Sequence, residues 1–153
     1  MELENLKERY EIAKKSLASL GESISLMQKH EQAFNISKNH ENELEYRAHR
    51  DSVIKRFEFT IDTTWKYLKF YIEAQVGVIQ NSPKPVIREC FRNGFMTEEQ
   101  ATEALDMING RNMTSHIYRE EIAQELWKKI PAYNALLNTI LYTLKPQEAP
   151  LKK

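Results

Sequence analysis

The sequence predicts an all-α protein: an up-and-down antiparallel helical bundle with two long helices and several shorter ones. Three observations predict it. Apolar residues recur at helical spacing along most of the chain, with no stretch alternating as a half-buried strand does. Gly (4) and Pro (5) are scarce in 153 residues, fewer than the turns of a sandwich or a doubly wound sheet need. Hydrophobic residues are 41% and charged residues 29%, a mixture that suits amphipathic helices around a single core and disfavours disorder.

The first helix is the most regular. Leu3, Leu6, Tyr10, Ala13, Leu17, Leu20, Ile24 and Met27 step by alternating threes and fours, the seam of a long helix. Glu11 stands four before Lys15, a favourable surface pairing. Residues 30–43 lose the pattern and read as a connection. The second helix spans about Leu44 to Gln75, with Val53, Phe57, Ile61, Trp65, Leu68 and Ile72 as its apolar stripe, widened by Phe59 and Tyr71. Asp51 with Lys55 and Asp62 with Lys66 are spaced to support it. Gly77 and the Asn81-Ser82-Pro83-Lys84-Pro85 cluster end it.

A short helix follows, Pro85 to Asn93, closed by Gly94. Val86, Ile87, Cys90 and Phe91 form its apolar face. Lys84, Arg88 and Arg92, spaced by four, form either a solvated stripe or one that tracks a phosphate backbone. Thr97 and Gln100 make a capping box that opens a fourth helix to about Asn109, where Gly110 interrupts it. The last helix runs from Arg119 to Leu144, and Pro131 inside it predicts a kink or a break. The domain is read as 1–145, and Pro146 and Pro150 punctuate a loose tail, 146–153.

Composition excludes several classes. Lys+Arg and Asp+Glu are 22 each, so the net charge is zero and indiscriminate polyanion binding is disfavoured. The single Cys90 permits no internal disulfide and reads as a small core residue. No Cys/His set has zinc-ligand spacing, and His30, His40 and His49 read as solvent-exposed rather than as ligands. No signal pattern opens the chain and no apolar run is long enough to span a bilayer. A soluble, reducing, cytoplasmic setting follows as the expectation, with no metal and no cofactor called for.

One segment carries chemistry. Arg111-Asn112-Met113-Thr114-Ser115-His116-Ile117-Tyr118 places Arg, Asn, His and Tyr in eight residues between two helices. Arginine holds phosphate in a bidentate fork, and histidine moves protons near neutrality. An Arg with a His and no carboxylate cluster has the parts for metal-free RNA cleavage: His on the 2′-hydroxyl or leaving oxygen, Arg on the growing phosphate charge. The plainer readings stand beside these: His116 as a surface or capping residue, Arg111 in a salt bridge to an acid such as Glu120, and Tyr118 as a half-buried aromatic at a helix start.

The pattern Arg111-Asn112-x-x-x-His116-x-Tyr118 resembles the R-x4-H-x-Y signature of HEPN domains. More closely, it is similar to HepT-like ribonuclease toxins and to the nucleotidyltransferase substrate-binding protein family. Tyr46, Asp51 to Phe59, Trp65 to Lys69 and Ser82 to Glu89 resemble that family's second helix, loop and third helix, so the likeness covers about residues 1–144. The resemblance implies a helical homodimer whose two motifs face each other across a cleft that takes RNA or a nucleotide. It implies as partner a small nucleotidyltransferase, usually encoded beside it. In the toxin branch Arg111 and His116 are the ribonuclease residues, Asn112 helps order the site, and the partner silences Tyr118 with AMP. In the other branch the cleft binds nucleotide or substrate without cleaving it. Arg88, Arg92 and Arg119 are candidate phosphate contacts. Two positions depart from the family: Pro85 stands where it often has Glu, and Arg119 where it tends to have Asp. An acid at the second position would cap the last helix; Arg119 instead adds positive charge beside the motif.

Overall fold

The computed structural model describes residues 3–147, and within them every regular element is helical. The order is α1 (Leu3–Ile36), α2 (His40–Val76), α3 (Pro83–Arg92), α4 (Glu98–Asn112), a single 3-10 turn (Thr114–His116) and α5 (Glu120–Thr143). The expected tail falls mostly outside the described residues, Pro150 included. Within its described part, Gln147 donates to the Tyr71 hydroxyl at 3.5 Å.

The long helices α1 and α2 form an antiparallel hairpin. The α1 seam is buried from Leu6 to Met27, as its spacing predicts, and meets Val53, Phe57, Ile61, Leu68 and Ile72 of α2. The connection predicted at 30–43 is far shorter: only 37–39 lie outside helix. Tertiary contacts carry the polar end of α1 through. Phe34 packs on Tyr46, centroids 5.1 Å apart, and Trp127 of α5 donates its indole N–H to Glu31 at 2.8 Å. Asn39 then caps α2, accepting from the Asn42 amide at 2.8 Å, while the Asn42 side chain donates to the Ser37 carbonyl at 2.8 Å. Gly77, with φ 72°, closes α2 in the left-handed conformation that glycine takes without steric cost.

Two expectations about α4 and α5 needed revision. Gly110 does not interrupt α4, which continues to Asn112. A Cβ there would lie 3.1 Å from Leu126 Cδ1, so this glycine admits α5 at close range instead of breaking the helix. Pro131 does not break α5, because Trp127, Ile130 and Tyr133 are buried on both sides of it. The capping box at Thr97 and Gln100 is present, with both reciprocal bonds. Phe59 and Phe91, expected on apolar faces, are 58% and 46% exposed, since each lies on the flank of its helix that no other element covers.

At the far end of the bundle, Tyr10 and Tyr67 donate their hydroxyls to the carbonyls of Leu141 and Leu144 at 2.8 and 2.5 Å, tying the end of α5 to the hairpin. Cys90 is fully buried in α3, and burial pushes its thiol up to about 12. Because the thiolate is the nucleophile, Cys90 is expected to stay unlabelled by a thiol reagent at pH 8 until denaturant unfolds the chain. Prompt stoichiometric labelling of the native protein would contradict this packing.

Candidate functional site

The chemical segment lies along α2, which holds both of its ends. At one end Arg111, in the last turn of α4, makes a fork to Asp62: Nε donates to Oδ1 at 2.8 Å and Nη2 to Oδ2 at 3.0 Å. Nη1 donates to the Thr114 hydroxyl at 3.2 Å, and that hydroxyl donates to the Arg111 carbonyl at 2.9 Å. Glu58 stands 3.7 Å away. The hydrogen bonds it donates to Asp62 hold the Arg111 guanidinium above its ordinary pKa. Its acid partner is therefore Asp62 and not Glu120, since α4 ends beside the middle of α2. Asp62 in turn is not paired with Lys66 as its spacing suggested.

At the other end Arg50 of α2 is 2% exposed and makes its own fork to Glu120 in the first turn of α5, at 2.5 and 2.9 Å. Asp51 supports it at 3.1 Å, in place of the predicted pairing with Lys55. Tyr46 donates to Gln124 at 2.9 Å one turn further along. Sequence reading found neither Arg50 nor Glu58 as part of the site; it named Glu120 only as a partner for Arg111 and Asp62 only as one for Lys66. The one available signal was an arginine at a position flanked by buried residues, which has to carry a carboxylate with it.

Between the clamps the chain turns once through Thr114–His116 and presents its outer side chains to solvent. His116 and Tyr118 are exposed, Tyr118 by 79%, with their rings edge to face at 6.1 Å. Among the described residues neither side chain has a hydrogen-bond or ion-pair partner. Tyr118 is thus not half-buried, as one reading had it. Asn112 is exposed, and its side chain makes no hydrogen bond among the described residues. Arg119 leans on Glu121 at 2.7 Å. Of the α3 cations, Arg92 is bound to the buried Glu89, which Asn93 also donates to at 3.1 Å, while Arg88 is exposed. The structure therefore brings Arg111, His116 and Tyr118 onto one edge and leaves Arg88 and Arg92 on a different helix.

Beside this edge a cavity of about 290 Å³ opens between α4 and α5. Gly110, Met113, Leu126 and Tyr133 give it an apolar floor, and Asp106, Glu121 and Glu125 outnumber Lys129 at its rim. Tyr133 donates to Asp106, and Lys129 lies 3.8 Å from the same carboxylate. Burial and that acid push the Tyr133 phenol well above its usual range. The cavity suits an apolar or cationic group better than a phosphate. Among the described residues no three His, Cys, Asp or Glu side chains group as metal ligands, and no helix is long and apolar enough to cross a membrane.

The fold and the motif define a small α-helical bundle domain that projects an exposed His and Tyr from a clamped turn. Known proteins narrow that class. The model of the family "Nucleotidyltransferase substrate binding protein like" matches residues 8–146, and the chain belongs to that family. The solved structure of ttk003001694 from Thermus thermophilus is similar at 31% identity and TM-score 0.72, covering 87% of this chain and 98% of that one. The structure of HI0074 from Haemophilus influenzae, described as showing the fold of a substrate binding domain of a nucleotidyltransferase, matches at TM-score 0.73 and 17% identity, covering 89% and 98%. At that identity it speaks for the fold. A comparison with curated proteins finds no significant match.

Proposed function

We propose that the chain is the substrate-binding partner of a nucleotidyltransferase and that it offers its His116–Tyr118 edge to that enzyme. The observation that carries this reading is the division of labour within the motif. Arg111 has all three guanidinium nitrogens engaged by Asp62 and Thr114, whereas His116 and Tyr118 are exposed and unengaged. An arginine held by a carboxylate fork positions the turn; it is not free to clamp a phosphate. The family membership supports the association with a nucleotidyltransferase. In this reading a homodimer sets two such edges across one cleft, Asn112 lines it, and the cleft holds a nucleotide or substrate with no metal or cofactor of its own.

A second reading, a metal-independent ribonuclease of the HepT-like toxin kind, draws on the free imidazole of His116. It requires Arg111 to leave Asp62, and it makes Tyr118 the position at which the nucleotidyltransferase adds AMP to silence the toxin. Arg88, Arg92 and Arg119 would then follow the RNA backbone.

One experiment separates the two. The chain is co-expressed with the nucleotidyltransferase encoded beside it, and the complex, the intact mass of this chain and RNA cleavage in EDTA are measured. A stable complex with no cleavage is the expected result. Cleavage that disappears in His116→Ala, with an AMP-sized mass gain at Tyr118 on co-expression, would replace the binding reading with the toxin reading. Absence of any complex would overturn the binding reading, and absence of cleavage would overturn the toxin reading.

A further inference from the structure

The cavity between α4 and α5 follows from helical spacing. Asp106, Gly110 and Met113 fall at i, i+4 and i+7 along α4 and its cap, so they share the face turned toward α5. On α5, Ile122, Leu126 and Tyr133 supply apolar surface, while Glu121, Glu125 and Lys129 follow one another by four along the rim. Gly110 brings no side chain to the gap. About 290 Å³ therefore stays open beside Leu126 and Tyr133, which are otherwise buried. That volume is at the lower end of the range that small-molecule sites occupy.

The charges at its mouth do not balance. Asp106 accepts from the Tyr133 hydroxyl and has Lys129 at 3.8 Å, and Glu121 is held by Arg119 at 2.7 Å. Glu125 has neither a hydrogen bond nor an ion pair among the described residues, so its carboxylate is left uncompensated beside an apolar hole. The floor offers that carboxylate no donor. Tyr133 has committed its hydroxyl to Asp106, and Gly110, Met113, Ile122 and Leu126 carry no side-chain donor. Asn109, exposed on the same face of α4, adds one neutral hydrogen-bonding group. Met113, 40% exposed, forms an unbranched wall that adapts to the shape of what lies against it.

An apolar hole with an unpaired carboxylate at its mouth fits a ligand of two halves, a small hydrocarbon body and one protonated amine. A phosphate or carboxylate ligand would meet three acids against one lysine. A neutral hydrocarbon would cover the floor and gain nothing from Glu125. A polyol would give up its water to side chains that cannot hydrogen-bond it. A metal ion finds no grouped set of three ligands among the described residues. From these observations we infer that the α4–α5 cavity binds a small primary amine with an apolar body. The body lies against Leu126 and Tyr133, and the ammonium turns toward Glu125, with Glu121 one turn earlier on the same helix. This goes beyond the function proposed above. Binding of the amine needs no nucleotidyltransferase, no nucleotide and no RNA, so either idea can fail without the other.

The test is an amide NMR titration of the full chain with phenethylamine, whose ring and ammonium supply both halves. Saturable shifts centred on Gly110, Met113 and Ile122 are expected, with a Kd of about 1 mM or tighter. Phenethyl alcohol, which keeps the body and lacks the charge, should bind about fivefold more weakly. Phenylacetate, with the charge reversed, should bind more weakly still, and ethylamine, with almost no body, should lose most of the binding. Glu125→Gln should weaken phenethylamine about threefold, and its exposed position makes folding the expected result. Ile122→Phe, which enlarges a side chain lining the cavity, should abolish the shifts while the helical spectrum is kept. The blocked lysine N-acetyl-lysine amide separates a free amine from a lysine of another protein, and it should bind more weakly than phenethylamine. The absence of saturable shifts, or shifts centred elsewhere, would overturn the inference. So would equal binding of phenethyl alcohol, an unchanged affinity in Glu125→Gln, or a blocked lysine that binds as tightly, which would mark a seat for a partner's side chain instead.

Discussion

Replacing Phe57 with alanine is expected to cost about 3–5 kcal/mol of stability, the largest effect of any single truncation considered for this chain. Phe57 is completely buried at the centre of α2 and stacks on Tyr133 of α5 with ring centroids 5.8 Å apart. Its ring also faces Gly110, where a Cβ would stand 3.9 Å from Cζ. The three meet where α2, α4 and α5 converge, and every one is fixed on a helix, so the cavity left behind has little freedom to collapse. For a domain of this size the loss corresponds to a fall in Tm of roughly 10 °C. Thermal unfolding followed by circular dichroism measures it directly. A change below about 1 kcal/mol would mean that the convergence of the three helices is looser than described.

The second large effect concerns the clamp between Arg50 and Glu120. Removing one partner of a fully buried pair costs about 3–5 kcal/mol, because the other charge is left without water or counter-ion. Glu120 is 50% exposed, which lowers the expectation. Asp51 also remains beside the guanidinium, so Glu120→Gln should cost about 2 kcal/mol and lower Tm by roughly 4–8 °C. The pH dependence gives a sharper signature. Hydrogen bonds from Arg50 hold the Glu120 carboxyl below its ordinary value of 4.5. Its contribution is therefore complete above pH 4.5 and is lost as the pH falls through the lower, folded value. Wild type and Glu120→Gln should differ most at neutral pH and converge in acid. A gap that stays constant well into acid would show that the difference comes from packing and not from charge.

The bundle was readable because its signals are local and repeated. Leu6 to Met27 in α1 and Val53 to Ile72 in α2 alternate at helical spacing for many turns, and the Thr97 capping box marks a helix start within four residues. The errors came where a distant residue decides the outcome. Residues 30–36 look like loop until Trp127 and Tyr46 are placed against Glu31 and Phe34. Gly110 looks like a terminator until Leu126 is seen to need the space. The candidate site divides the same way. Arg111, His116 and Tyr118 were found together because they are close in sequence. Asp62 and Arg50 were not, because each meets its partner across 49 and 70 residues of chain, and spacing along one helix proposes nearer, wrong partners.

The two clamps also bear on how this sequence can change over time. Arg50 and Asp62 stand twelve residues apart on one rigid helix, which fixes about 18 Å between the points where Glu120 and Arg111 attach. The stretch from 112 to 119 must bridge that interval, so its length is set by α2 and not by its own composition. Substitutions at Ser115 or Ile117 alter what the turn displays; an inserted or deleted residue would pull one carboxylate fork out of register. Related chains should therefore vary freely in what they write between these two charges, and hardly at all in how many residues they use to write it.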